Sequence, residues 1–355
     1  MSWHGPPPKE ICIVMLSAIG DAVHVLPVAN ALKRAWPDTR ITWVIQPVPH
    51  SFVEGHPAID DFIVFHRRRG LQAWVGFRDL MREVKGRRFD LLIGLQVYLK
   101  AGLITALIPS RIKLGFDRVR ARDAQWLFTN RRIPPHAPQH VQDQYFEFLR
   151  YLGIDPEPVT WRIRFTDEER AEQGAFFDEL GRPGCAVVLG TSKAQKNWTP
   201  SGYSRVLEEV DRTHGLQPII IGGPSDGERR IADEVARATK VTLVDTLGDD
   251  PRKLMWLVDG SALLISPDTG PLHIGRAVGT PVVSLFGYTN PKRSGPYRAF
   301  EDLIVDGYAE HPGEDYPIMH VYRNGMQRVT IEGVLEKVSL AMTKYVNPTL
   351  GGATG

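Results

Sequence analysis

The sequence is short of several things, and each shortage narrows what the chain can be. Among 355 residues there are two cysteines, Cys12 and Cys185, far apart and each inside an apolar run. That excludes a disulfide framework and leads us to expect buried thiols of a reducing compartment. No Cys or His spacing of the metal-ligand kind occurs, so neither a metal nor a cofactor is expected. No apolar run approaches the roughly 18 residues needed to span a bilayer. The opening MSWHGPPPKE has no basic segment leading into an apolar one, and a cytoplasmic location is expected. G-x-G-x-x-G is missing, which argues against a nicotinamide dehydrogenase. Net charge is scarce as well, +2 overall, and no recognition motif accompanies the basic residues, so nucleic acid is not an expected partner.

What is present is ordinary globular material, 43% hydrophobic and 24% charged, over a length suited to two domains. The charge is unevenly placed. Residues 1–165 carry 23 Lys and Arg against 15 Asp and Glu, a balance of +8, and the remainder carries 20 against 26, a balance of −6. The runs RRR at 67–69, KGRR at 85–88 and RVRAR at 118–122 concentrate the excess. Scattered solvated charge would give the same count; the alternative is that the first half meets an anionic partner.

Apolar runs alternate with helical periodicity in both halves. ICIVML, ITWVIQP, FIVF, DLLIGL and RIKLGF read as strands of the first; CAVVLG, QPIIIGG, VTLVD, ALLIS and PVVSLFG read as strands of the second. The pattern is βαβ, and the expected fold class is α/β: two Rossmann-like doubly wound domains, 9–165 and 180–325, facing a cleft, with a C-terminal helix in 326–346. Ligands of such sheets bind beyond the carboxyl ends of the strands, so the corners there carry the interest.

Four corners stand out. SPDTGPLHIGRAVG passes from strand to helix with Asp268 or Thr269 at the N-cap and Pro271 in the first turn. Such a helix start can hold phosphate, although a plain capped crossover helix looks the same; beside a phosphate, Asp268 suits the organiser of the loop better than a ligand. GTSKAQKNWTP is a second corner, offering Thr191, Ser192, Lys193 and Lys196 to an anion. IGGPSDGERR contains a G-x-S-x-G match, Gly223, Ser225 and Gly227, which raises an α/β-hydrolase with Ser225 as nucleophile. Asp226 or Glu228 in the same corner could instead accept from a ribose. LSAIGDAVHVLP places Asp21 at a helix start, either as the N-cap or as a general base, with His24 one turn on as a packed partner.

LSAIGDAVHVLPVANALKRAWPDTRITWVI, EGHPAID, GFDRVRARDA, SKAQKNW, IGGPSD and SPDTGPLHIGRAVGTPVVSLFG, in this order and spacing, resemble glycosyltransferase family 9, the lipopolysaccharide heptosyltransferases, over residues 11–344. The resemblance implies a GT-B fold whose first domain binds the acceptor and whose second binds a nucleotide-sugar donor. It implies ADP-heptose as that donor and the anionic, Kdo-bearing inner core of lipopolysaccharide as acceptor. It also implies Asp21 as catalytic base, Thr191, Ser192 and Lys196 as a phosphate-gripping loop, and Asp226 at the ribose. Asp268, Thr269, Gly270, Pro271, Leu272 and His273 correspond to the donor loop, and Gly20, Lys100 and Arg122 to the acceptor side. Two departures accompany it: the family more often has a glutamate at the position of Asp226, and LQVYLK stands where LQGLLK is common.

The chemistry so implied is one inverting displacement without metal, in which Asp21 takes the acceptor's proton while Lys196 and the helix start at 268–273 stabilise the departing diphosphate. Peripheral contact with the inner face of the cytoplasmic membrane, through the basic first half, is a further expectation. The alternatives are the Ser225 hydrolase and a nucleotide-sugar-binding protein without catalysis.

Overall fold

The computed structural model describes residues 5–68, 70 and 73–347; Arg69 of the first basic run lies outside them. The chain divides into two units: one holds the chain up to Ala137 and Val141–Arg164, the other Pro138–His140 and the chain from Phe165 onward.

The first unit runs β1 (Glu10–Val14), α1 (Ile19–Ala35), β2 (Arg40–Ile45), α2 (Pro47–Val53), β3 (Asp61–Val64), α3 (Ala73–Glu83), β4 (Phe89–Gly94), α4 (Leu99–Leu107), β5 (Ser110–Gly115), β6 (Arg131–Arg132) and α5 (Val141–Tyr151). Its sheet has the order β3-β2-β1-β4-β5-β6, with parallel pairings. The second unit runs α6 (Asp167–Leu180), β7 (Gly184–Val188), α7 (Pro200–His214), β8 (Gln217–Ile221), α8 (Asp226–Ala238), β9 (Val244–Asp245), α9 (Pro251–Gly260), β10 (Leu263–Pro267), α10 (Gly270–Val278), β11 (Val282–Phe286), α11 (Pro291–Ser294), β12 (Ile304–Asp306) and α12 (Ile331–Ala341). Its sheet, also parallel, has the order β12-β11-β10-β7-β8-β9.

Counted from the first strand of each unit, both sheets read 3-2-1-4-5-6, the doubly wound order. Strands buried on both faces must be apolar throughout, and β7, β8, β10 and β11 are buried at every residue. Each fully buried aliphatic side chain contributes about 1.5–3 kcal/mol, which is why these runs were legible as strands. In the first unit α3 and α4 share one core through Leu80, Ala101 and Ile104. In the second, α12 closes the core with Val334, Val338 and Ala341. Cys12 and Cys185 are free and buried at the middle of their sheets, and burial pushes both thiols up.

Some expectations change. VTLVD forms strand only at Val244–Asp245, because it pairs on one side alone, with β8. The basic runs separate by position: KGRR at 85–88 precedes β4, at the amino edge of the sheet, and Arg87 is ion-paired with Asp61. The stretches after β3 and β5 lie at the carboxyl edge instead. Within the latter, Arg120 is neutralised internally by Asp117 at 2.5 Å and Glu147 at 2.7 Å.

Candidate functional site

In each sheet the strand order reverses between two neighbours, β1 and β4 in one and β7 and β10 in the other. Crevices for ligands open beyond the carboxyl ends of such strands. Beyond those four strands stand Asp21 and Lys100, in the first turns of α1 and α4, in the first unit, and Thr191, Lys196 and Asp268, in the connecting loops, in the second.

In the second unit one contact ties the two loops together. Lys196 Nζ donates to Asp268 Oδ2 at 2.7 Å and to the Asp268 carbonyl at 2.8 Å. Thr289 Oγ1 donates to the same Oδ2 at 2.6 Å, and His273 Nε2 lies 3.7 Å from Oδ1. Burial alone would raise the Asp268 carboxyl; His273 and Lys196 beside it overcome that and hold it well below the usual carboxylate range. Asp268 is therefore an ionised, buried carboxylate whose work is to order the corner.

The helix that follows begins close to the sheet. Gly275 of α10 has no room for a side chain, since a Cβ there would meet Val282 Cγ2 at 2.7 Å. Thr269 is the N-cap, Pro271 stands in the first turn, and Gly279 ends the helix with φ +92°. Thr269 thus holds the expected N-cap position, but its side chain makes no capping bond; its hydroxyl lies 3.2 Å from Ser266 Oγ. The amides of Gly270 and Leu272 thus receive no acceptor from the cap, and they carry the positive end of the helix dipole.

The neighbouring loop is built to hold Lys196. Its backbone takes a 3-10 turn at Ala194–Lys196, and Asn197 Oδ1 accepts from the Thr191 amide at 2.8 Å. Thr191 Oγ1 donates to the Lys193 carbonyl at 2.6 Å, while Ser192 is exposed. Lys193 turns elsewhere: its ammonium lies 4.9 Å from the ring of Tyr322, which stacks on Tyr288 at 4.7 Å.

Ser225 is not poised as a nucleophile. It is the N-cap of α8, accepting from the Glu228 amide at 3.2 Å and donating to Glu228 Oε2 at 2.6 Å. Glu228 Oε1 accepts from the Gly223 amide at 3.0 Å. The G-x-S-x-G match is thus a capping turn closed by a carboxylate, where a triad would need an imidazole. Asp226 stands exposed at the first position of the helix.

In the first unit Asp21 is not the N-cap but the third helical residue, because α1 begins earlier with Ala18 as cap; Gly20 lies in the same first turn. Asp21 Oδ2 accepts from the Ala18 amide at 2.9 Å, and Tyr145 donates its phenol to Oδ1 at 3.2 Å. The loop before it is fixed across the sheet, with Gln96 Nε2 donating to the Ser17 carbonyl at 2.7 Å and Gln96 Oε1 accepting from Leu16 at 3.2 Å. His24 is buried and bonded to Gln142 Oε1 at 2.8 Å, a packed partner as expected.

Lys100 lies in the first turn of α4, its ammonium 5.5 Å from the Phe65 ring. Partial burial, aided by Arg67, lowers its pKa to about 8. Arg122 is exposed, its amide donates to the Val97 carbonyl at 2.8 Å, and its guanidinium lies 5.8 Å from the Tyr98 ring. Lys100 and Arg122 are thereby brought to neighbouring positions at one edge of the sheet. Sequence reasoning missed Thr289, Tyr145, Gln96 and Asn197. Among the described residues, no group of three or more His, Cys, Asp or Glu side chains is placed to hold a metal ion.

Comparison with known proteins gives a consistent likeness. The sequence model of glycosyltransferase family 9 (heptosyltransferase) matches residues 77–314, a span that contains the Lys196 and Asp268 corners but not Asp21. The lipopolysaccharide core heptosyltransferase OpsX of Haemophilus influenzae is 30% identical over 310 residues, 87% of each chain. Lipopolysaccharide heptosyltransferase 1 of Pseudomonas aeruginosa is 26% identical over 87% of this chain and 84% of its own. Among solved structures, a glycosyl transferase family 9 protein from Veillonella parvula matches with a TM-score of 0.79 at 23% identity, over 95% of this chain and 97% of that one. The E. coli heptosyltransferase WaaC with ADP matches with a TM-score of 0.70 at 18% identity, over 95% and 99%.

Proposed function

This chain belongs to glycosyltransferase family 9, the heptosyltransferases, and on that premise we propose that it moves a heptose from ADP-heptose to a hydroxyl of an anionic lipopolysaccharide inner-core acceptor. Its fold is GT-B, built from two Rossmann-like domains. The observation that carries the reading is the Lys196 and Asp268 pair at the start of α10, which sets an ammonium beside a helix N-terminus at the strand-order reversal. A departing diphosphate needs that combination of fixed cation and oriented amides. The Haemophilus and Pseudomonas relatives are named as lipopolysaccharide heptosyltransferases, and the E. coli heptosyltransferase WaaC was solved with ADP-2-deoxy-2-fluoro heptose.

The labour divides between the units. In the second, Thr191, Ser192 and Lys196 grip the diphosphate, residues 268–273 cap it, and Asp226 takes the ribose. In the first, Asp21 removes the proton of the attacking hydroxyl, its carboxylate oriented by the Ala18 amide and the Tyr145 phenol. The hydroxyl attacks the anomeric carbon from the face opposite the diphosphate, the C–O bond to phosphate breaks, and ADP leaves with the electron pair. Configuration inverts. Gly20 lies against the acceptor, and Lys100 and Arg122 meet its acidic sugars. The acceptor is carried at the inner face of the cytoplasmic membrane, where the protein works as a peripheral enzyme.

The test is to supply the protein with a panel of nucleotide sugars and a Kdo-bearing acceptor and to follow ADP release together with the mass of the acceptor. Gain of one heptose from ADP-heptose is the expected result. Donor hydrolysis unaffected by acceptor, or transfer from a different nucleotide sugar alone, would overturn it.

A further inference from the structure

Most of the large apolar side chains that the first unit leaves exposed lie on α4 and the stretches beside it; Val48 of α2 and Met81 late in α3 stand apart. Leu99 and Leu103 stand one turn apart on α4 and are 43% and 40% exposed, and Ala106 continues the row. The opposite side of the same helix is buried through Ala101, Gly102, Ile104 and Thr105. Apart from Lys100, then, α4 has no charged residue, and its outer face is as apolar as its inner one. A helix apolar all round belongs in a core or against a nonaqueous phase.

Its surroundings extend the same character. Residues Gln125–Phe128 pack on α4, and Leu127 of that turn is 61% exposed. Val119 is 86% exposed in the loop after β5, and Trp74, in the first turn of α3, is 68% exposed. Both α3 and α4 start at the carboxyl edge of the sheet and share one core. Cations rim these side chains. Arg67 and Arg68 precede α3, Lys100 is in the first turn of α4, and exposed Arg118 and Arg122 flank Val119. The Arg118 guanidinium lies 4.3 Å from the Trp126 ring. Acidic residues in these stretches are Asp117, engaged by Arg120, and Asp123.

We propose that the outer face of α4, with Trp74, Val119 and Leu127, docks on an anionic lipid bilayer, the apolar side chains entering the headgroup layer while Arg67, Arg68 and Arg118 meet lipid phosphates. A row of exposed leucines rimmed by cations of one sign matches that interface in both terms, apolar insertion and electrostatic attraction. No helix among the described residues is long and apolar enough to cross a membrane, so the attachment is to the surface. The purpose assigned to this face, presenting the acceptor side of the enzyme to a membrane-borne substrate, rests on the function proposed above; the binding itself does not.

The test is co-sedimentation of the full chain with phosphatidylcholine vesicles, with and without phosphatidylglycerol, in the absence of donor. The wild type should partition onto the anionic vesicles, weakly onto neutral ones, and less at high salt. The Leu99→Gln/Leu103→Gln variant should lose about tenfold or more in partitioning, with an unchanged melting temperature and unchanged turnover of a soluble, delipidated acceptor. Val119→Asp should act in the same direction. Equal binding by wild type and the double variant, or indifference to anionic lipid, would overturn the proposal. So would a concentration-dependent dimer of the wild type that the double variant abolishes, because a second copy would then cover the face. Vesicle binding by a protein that transfers no heptose would leave this proposal standing and defeat the functional one.

Discussion

Lys196 reaches 72 residues along the chain to Asp268, its ammonium 2.7 Å from the carboxylate and 2.8 Å from the carbonyl of the same residue. The contact joins the loops after β7 and β10, the two strands between which the order of the second sheet reverses. Gln96 does the corresponding work in the first sheet, joining the loops after β4 and β1 through the Ser17 carbonyl. Each unit thus braces the corner at its strand-order reversal with a long-range polar contact.

Lys196→Met removes the cation from a buried pair and leaves Asp268 with Thr289 and His273 alone. Stability should fall by about 3 kcal/mol, the usual consequence of stripping one partner from such a pair, and kcat should fall about 10²–10³-fold. Thermal melting and ADP-release kinetics check the two separately. A variant as stable and as active as the wild type would remove Lys196 from both roles.

The same pair gives an acid limb. Because the folded-state pKa of Asp268 is depressed, its contribution is complete above the unfolded carboxylate value of about 3.9 and is lost as pH falls below it toward the folded value. In Lys196→Met the folded-state pKa moves up toward the unfolded one, so less stability is lost on acidification than in the wild type. Chemical denaturation from about pH 5 to about pH 2, the window in which the loss falls, would show it; parallel profiles of wild type and variant would contradict it.

Lys100 supplies a basic limb. With its pKa lowered to about 8, it is an ammonium at neutral pH and loses its charge as pH rises past that value. KM for an anionic acceptor should therefore climb through the same range with little change in kcat, and Lys100→Gln should raise KM at pH 7 and flatten the profile. A KM that ignores pH in the wild type would contradict acceptor binding by Lys100.

Ser225→Ala separates the transferase from the hydrolase. As the cap of α8 the residue contributes about 1 kcal/mol to stability, so the variant should melt earlier yet transfer heptose within about twofold of wild type. A serine-directed fluorophosphonate should not label the wild type at this position. Loss of activity by orders of magnitude, together with labelling, would restore the nucleophile.

Much of this was legible in the sequence because it is local. The passage from β10 through DTGP into α10 is written in consecutive residues, as is the loop that carries Lys196. Thr289, 21 residues from Asp268, and Tyr145, 124 residues from Asp21, carry no local mark, since their contacts exist only once the sheets have formed. Charge counting likewise did not separate KGRR, before a strand, from RVRAR, after one; the parallel pairing of β4 and β5 is what puts them at opposite edges of the sheet. The apolar outer face of α4 was hidden for the opposite reason: LKAGLITAL reads as a core helix whichever side is buried.

The most direct measurement is turnover and ADP affinity of Asp21→Asn. The amide keeps the size of the side chain and can still accept from the Ala18 amide, so the start of α1 should survive. If Asp21 is the base, transfer from ADP-heptose should fall by about 10²–10⁴-fold while the Kd for ADP, set by the other unit, stays within about twofold of wild type. Turnover close to wild type would contradict the account.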